Sequence, residues 1–301
     1  PGASVAAVLV GFAIGSETNG SIINPSSFCG VSGLRPTFGR VSRYGAMALM
    51  WSSDKLGPMA RSARDTIAIL RVIAGADSND TYATAAPFRA AKRRPTIGVI
   101  AKSTEKSQKA VVDNFKASLE VLGDFADIRE DVPHPDFPYG EIFTALLNGE
   151  CASAFRNLIE SGRSKLLRSP EDKIGGYEQY ATLAVDFVDS MRQRAKIDRA
   201  IRRMIAPYDA LVHPSQPTIS YPIGPKFSKT YTNTPGAVDP VTSGNLAGIP
   251  AMSVPNGFGD HGLPTGLGIL ANPWAEAQLA AIGVAYQSRT SFHLKRPKLS
   301  L

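Results

Sequence analysis

The stretch GSETNGSIINPSSFCG, Gly15 to Gly30, holds four serines among small, polar and turn-forming residues, directly behind the apolar run VLVGFAIG. A serine that attacks a carbonyl carbon needs backbone N–H groups aimed at the developing oxyanion, and small residues that let the main chain approach the substrate. Thr18-Asn19-Gly20-Ser21 supplies both. The chemistry this points to is nucleophilic attack on an acyl group by Ser21. The ordinary alternative is that Ser21 is an N-cap in front of IINPSSF, a position serine fills well.

Other patterns lead elsewhere. GFGDHG, Gly257 to Gly262, matches the dinucleotide-binding glycine pattern, yet the residues behind it, LPTGLGIL, read as a strand, and no acidic residue after Glu276 is left to hold a ribose. A hairpin is expected there. No Gly-x-Ser-x-Gly elbow exists, and no histidine stands in a Ser-His-Asp context. His213, in ALVHPSQP, reads as a structural residue at a strand end. Cys29 and Cys151 form no metal-ligand pattern and are too few for a disulfide framework, so neither a metal nor a cofactor is expected.

The elements that must position Ser21 alternate in type. LVGFAIG, PTIGVI, YDALVH, IPAMSVP and PTGLGIL read as buried strands bounded by Gly, Pro or Asn. A helix opens at Ser62 with Asp65 three residues on, runs through Ile67, Leu70 and Ile73, and stops at Gly75. Another, from about Ala275, puts Leu279, Ile282 and Tyr286 on one face. The alternation predicts an α/β fold, a large mixed sheet with helices on both faces.

A chain of 301 residues, 43% hydrophobic and 20% charged, has the composition of a globular protein and room for one large domain over 1–301. No apolar run reaches the length of a membrane span, and the start lacks the basic region of a signal peptide. A cytoplasmic protein is expected, with its N-terminal part missing because the chain opens abruptly at Pro1 in an apolar segment. The net charge of +7 raises the question of an anionic partner. Arg192, Lys196, Arg199 and Arg203 fall on one face of a helical-looking segment, Tyr177 to Ala206, opposite Leu183, Phe187 and Met191. A solvated face is the expectation and a nucleic-acid surface the lesser alternative.

GSETNGSIINPSSFCGVSGLRPTFGRVSRYG resembles the signature segment of the amidase signature family, and the likeness continues in SSDKLGPMARSARD, YDALVHPSQP and NLAGIPAMSVPNGFGDHGLPTGLGILAN. The resemblance implies the family's fold and makes Ser21 the nucleophile, with the backbone N–H groups of Thr18, Asn19 and Gly20 as the oxyanion hole. In that family a second serine, bonded to a deprotonated lysine, activates the nucleophile. Both would lie ahead of Pro1; Ser4 does not match, and Lys55 is read as a solvated or structural lysine. Two departures stand out: Asn19 replaces a glycine, and Ile23 replaces an arginine, which removes a cation from the edge of the site. Tyr44, Met47, Met50 and Trp51 are the candidates for an apolar acyl pocket, with core packing as their alternative.

The function implied is an amidase hydrolysing a small-molecule amide, with no membrane partner and with a homodimer open to it. The alternatives are the A subunit of a glutamyl-tRNA(Gln) amidotransferase and an inactive truncated fragment.

Overall fold

The computed structural model describes residues 1–168, 177, 179–222 and 237–297. Its strands are β1 (Phe12–Glu17), β2 (Ser32–Arg35), β3 (Lys55–Ala60), β4 (Thr96–Ile100), β5 (Asp127–Val132), β6 (Ala210–Pro214), β7 (Ala251–Phe258) and β8 (Pro264–Leu270). They form one sheet in the order β1-β3-β2-β7-β8-β6-β4-β5. The sheet is mixed, as expected: β4 runs parallel to β5 and β6, and the other neighbours are antiparallel.

The helices are α1 (Gly2–Ala6), α2 (Ile23–Cys29), α3 (Ala63–Ile73), α4 (Lys109–Gly123), α5 (Tyr139–Ala154), α6 (Arg156–Glu160), α7 (Ala184–Ile205), α8 (Pro240–Leu246) and α9 (Glu276–Gln287). Alternation along the central strands divides them between two faces. The cross-strand neighbours Val212, Ile269 and Met252 join the core that holds Leu70 of α3, Phe115 and Leu122 of α4, and Leu279 and Ile282 of α9. Leu211, Leu270 and Ala251, one residue out of phase, join Ile142 and Leu146 of α5, Ile197, Ile201 and Ile205 of α7, and Leu246 of α8.

Local sequence explains several boundaries. Ser62 caps α3 by accepting the Asp65 N–H at 3.1 Å while donating to its carboxylate at 2.7 Å, so two otherwise unmatched groups serve each other. α9 buries Leu279, Ile282 and Tyr286. GFGDHG closes the β7–β8 hairpin, with Gly257 and Phe258 ending β7 and the residues from Gly259 to Gly262 making the turn. PTIGVI, YDALVH, IPAMSVP and PTGLGIL each contain a strand.

Three readings need correction. The first apolar run is not a buried strand: β1 is the edge of the sheet, paired only with β3, and its outward side chains Phe12 and Ile14 are 51% and 39% exposed. Only Gly15 and Glu17 of β1 are buried. β2, β3 and β5 escape the periodicity argument because β2 has four residues, β3 contains Gly57-Pro58 and β5 reads DIREDV. The third concerns α7, which starts at Ala184; of the longer helical reading, residue 178 lies outside the described residues. Its buried set is Ser190, Ile197, Ile201 and Ile205, while Leu183 and Met191 are exposed and Phe187 is half-buried.

Val8, Leu9 and Val10 extend the apolar outer surface of β1. A contiguous exposed patch of this kind promotes association. The chain should therefore self-associate in light scattering, and the double substitution Phe12→Lys, Ile14→Lys should reduce the scattering. Because neither side chain is buried, its unfolding free energy should stay within about 0.5 kcal/mol of the parent chain.

Candidate active site

β1 delivers the chain into the loop Thr18–Gly20, Ser21 follows, and α2 begins two residues later. Glu17, the last residue of β1, lies beneath this turn with no exposed surface. One carboxylate oxygen accepts the N–H groups of Ile22 and Ile23 at 2.8 and 3.0 Å. The other accepts Arg35 Nη1 at 2.9 Å and Asn245 Nδ2 at 2.8 Å. Burial pushes the carboxyl towards its neutral form, but Arg35, Lys55 and Asn245 together outweigh it and hold Glu17 below its ordinary 4.5.

Glu17 thus does the capping expected of an N-cap serine. Ile22 occupies the N-cap position of α2 without a side-chain bond, and Ser21 is exposed. Among the described residues nothing hydrogen-bonds the Ser21 hydroxyl, and nothing accepts from the amides of Thr18, Asn19, Gly20 or Ser21. Gly20 has φ +93°, and a Cβ there would meet the Asn24 side chain at 2.6 to 2.9 Å, so the turn requires glycine. Side chains pin the loop on both flanks: Thr18 Oγ1 donates to Asp54 at 2.7 Å and Asn19 Nδ2 to Thr242 Oγ1 at 3.1 Å.

Ile23 is core, and Arg35 on β2 brings a guanidinium to Glu17 from the next segment of chain. Lys55 lies opposite Glu17 across the β1–β3 pair, fully buried rather than solvated. Burial and the nearby Arg35 charge hold its amine well below the usual 10.5. His213 is the structural residue it was read as: buried, with Nδ1 2.7 Å from the Pro214 carbonyl, and driven by burial to about 4. His134 Nε2 lies 3.0 Å from Ser243 Oγ, but that serine is buried and Asp239 caps α8, so no accessible nucleophile results.

Of the proposed acyl-pocket residues, Met50 belongs to the core and has no surface to offer a substrate. Tyr44 and Met47 are exposed, Met47 at 84%. Trp51 is partly exposed and stacks on the Arg43 guanidinium, 4.6 Å from the ring centre. This loop abuts the Thr18–Ser21 turn through Asp54, which accepts the N–H groups of Leu49 and Met50 at 2.8 and 3.0 Å as well as the Thr18 hydroxyl. Arg192, Lys196, Arg199 and Arg203 are exposed on α7, as a solvated stripe would be. Their neighbour Arg194, overlooked by that reading, turns inward to the Ser52 carbonyl and hydroxyl at 2.7 and 2.6 Å and the Leu246 carbonyl at 2.9 Å. Glu17, Arg35, Asn245 and Asp54 were also missed. For Glu17 and Arg35 the available signal was a charge at an inward phase of a strand, which demands a buried partner.

A mixed eight-stranded sheet carrying a glycine-serine turn at the mouth of its edge strand accords with the match of the Amidase family model over residues 1–280; the chain belongs to that family. It is 31% identical to the A subunit of the glutamyl-tRNA(Gln) amidotransferase of Moorella thermoacetica, over 100% of this chain and 68% of that protein. The solved peptide amidase of Stenotrophomonas maltophilia has a TM-score of 0.80 at 28% identity, covering 96% of this chain. The corresponding A subunit from Thermotoga maritima has a TM-score of 0.77 at 27% identity, again covering 96% of this chain. The chain spans 64% of the length of each of these two solved proteins. Among the described residues no helix is long and apolar enough to cross a membrane, and no His, Cys, Asp and Glu group is placed to hold a metal ion.

Glu17 yields a stability prediction. Its folded value is depressed, so its contribution is present above its ordinary 4.5 and is lost as pH falls through the folded value. Thermal melts followed from pH 7 downward should hold their midpoint until about pH 4.5 and then decline. Glu17→Gln should remove this part of the acid dependence. Glu17→Ala, which strands Arg35 in the interior, should cost about 3 to 5 kcal/mol at pH 7.

Proposed function

We propose that the chain carries the acyl-transfer centre of an amidase acting on carboxylic amides, with Ser21 as nucleophile and the backbone N–H groups of Thr18, Asn19 and Gly20 as the oxyanion hole. The observation that carries this reading is the run of amides without acceptors among the described residues, beside an exposed serine, on a turn anchored from below by a buried carboxylate. Backbone donors are ordinarily paired, and a cluster left open on a rigid turn suits an anion.

In this reading Ser21 Oγ attacks the amide carbon, its proton passes to a base, and the carbonyl electrons collect on the oxyanion. Each loop donor is worth roughly 3 to 4 kcal/mol of barrier. Collapse breaks the C–N bond, the departing nitrogen takes a proton as ammonia or an amine, and water then releases the acid and regenerates Ser21. The steps need no metal or organic cofactor. Among the described residues nothing hydrogen-bonds the Ser21 hydroxyl, and the family resemblance supplies the base in this reading as a lysine acting through a second serine. The exposed Tyr44, Met47 and Trp51, on the loop joined to Thr18 through Asp54, favour an apolar acyl group. The free cysteines Cys29 and Cys151 accord with a cytoplasmic location.

A second reading, the A subunit of a glutamyl-tRNA(Gln) amidotransferase, is favoured by the 31% identity to the Moorella thermoacetica protein. There the ammonia freed at Ser21 would pass to a partner and the basic face of α7 would meet RNA or a further polypeptide of the complex.

Two measurements test these readings. In the full-length form of the protein, Ser21→Ala should reduce amide turnover by about 10⁴-fold or more with the melting temperature unchanged, and an active-serine probe should label Ser21; labelling of Ser16, Ser26 or Ser27 instead would remove the assignment. For a free-standing hydrolase, simple amides should be cleaved without ATP, tRNA or partners, and charge reversal at Arg192 and Arg199 should leave turnover unchanged. Glutaminase activity that requires partner subunits, and that these reversals weaken in a salt-dependent way, would favour the second reading.

A further inference from the structure

Lys55 has no part in the steps above, and it is not a surface lysine. The side chain is 2% exposed, at the head of β3, where the register sets it opposite Glu17. Its amine donates to Ser53 Oγ at 3.3 Å. Ser53, itself fully buried, donates its hydroxyl proton to the Thr18 carbonyl at 3.1 Å. The carbonyl of Thr18 and the N–H of Asn19 belong to one planar trans peptide and point in opposite directions. A donor that holds the carbonyl inward therefore aims the Asn19 N–H outward. The other ties on this loop, Asp54 to the Thr18 hydroxyl and Thr242 to the Asn19 amide, grip side chains and leave the peptide plane free to turn.

We propose that Lys55 and Ser53 form a positioning pair for the oxyanion hole: the buried amine orients the Ser53 hydroxyl, and that hydroxyl fixes the Thr18–Asn19 peptide with its N–H towards the substrate oxygen. The proposal rests on the reading of Thr18, Asn19 and Gly20 as the oxyanion donors. Burial and the Arg35 charge lower the pKa of the amine, and it can donate a hydrogen bond to Ser53 Oγ with or without its charge. A hydrogen bond received by Ser53 also polarises the one it gives. Ser52, next to this pair, is clamped by Arg194 and by Glu150, which accepts its N–H at 2.8 Å, so the backbone carrying Ser53 is braced on its far side.

The test is the backbone order parameter of the Asn19 amide, measured by 15N relaxation on this chain with and without substitutions. The parent chain should give about 0.85, the value of rigid backbone. Ser53→Ala should bring Asn19 below about 0.6, and Lys55→Met, which keeps the stem and removes the amine, should lower it in the same direction. Ser53→Thr, which retains the hydroxyl, should restore the parent value. Amides of Val212 and Ile269 in the central sheet should stay rigid throughout, separating a local effect from loss of fold. Where full-length protein is assayed, Ser53→Ala should lower kcat by roughly ten- to a hundredfold at constant KM. An Asn19 amide that stays rigid in Ser53→Ala would overturn the proposal, and so would a loss shared equally by KM; if Lys55→Met does not fold, Ser53→Ala decides alone. The order parameter needs no turnover, so failure of the Ser21 assignment is seen separately, as a probe that labels another serine.

Discussion

A carboxylate without water is tolerable only when nearly all of its lone pairs are met by donors, and Glu17 meets that condition with four. Those donors come from the backbone entering α2, from Arg35 on β2 and from Asn245 on α8, so one side chain joins an edge strand, a second strand and two helices. The turn that carries Ser21 is spanned by this knot, with Glu17 before it and Ile22 and Ile23 after it. It cannot open without exposing a charge to an apolar interior. Rigidity of this kind is what a set of amide donors needs if they are to meet a developing charge without first reorganising.

The same device recurs along the segment that follows. Arg40 pairs with Glu276 and Arg43 with Asp80, both in the interior, and Arg43 also stacks on the rings of Phe38, Trp51 and Tyr82. Buried ion pairs contribute little net stability against apolar residues of equal volume, but an unpaired member is very costly, so they select one arrangement of chain over its rivals. Here they fix the path of a stretch with little regular structure between β2 and β3. That stretch ends at Asp54 and Ser53, both of which touch Thr18. The order of the loop is thereby passed to the turn that carries Ser21.

Membership of the amidase family leaves the choice of reaction partner open. The chain resembles both a peptide amidase and an amidotransferase component in fold, and a nucleophile with backbone donors serves either. What distinguishes one from the other is the fate of the released ammonia and the surface that receives it. These would depend on surroundings of the site rather than on the proposed acyl-transfer centre itself.

The sequence by itself determined the alternating order of elements, the capped helix at Ser62, the hairpin at GFGDHG, and the location of the serine turn, because each rests on interactions between near neighbours in the chain. Glycine at position 20 is legible for the same reason: a positive φ is a local demand. Tertiary structure alone decided the exposure of β1, since an apolar run reads alike whether or not another layer covers it. It also decided the contributions of Arg35, Asn245, Asp54 and Arg194, whose partners lie between 18 and 228 residues away, or act through a loop whose path is set elsewhere. Met50 and Lys55 illustrate the limit from both sides: sequence left Met50 between a pocket and the core, where it packs, and left Lys55 between a solvated and a structural lysine, whereas the sheet encloses it. Burial is a property of what surrounds a residue in three dimensions, and a linear chain carries that only through the sum of all its contacts.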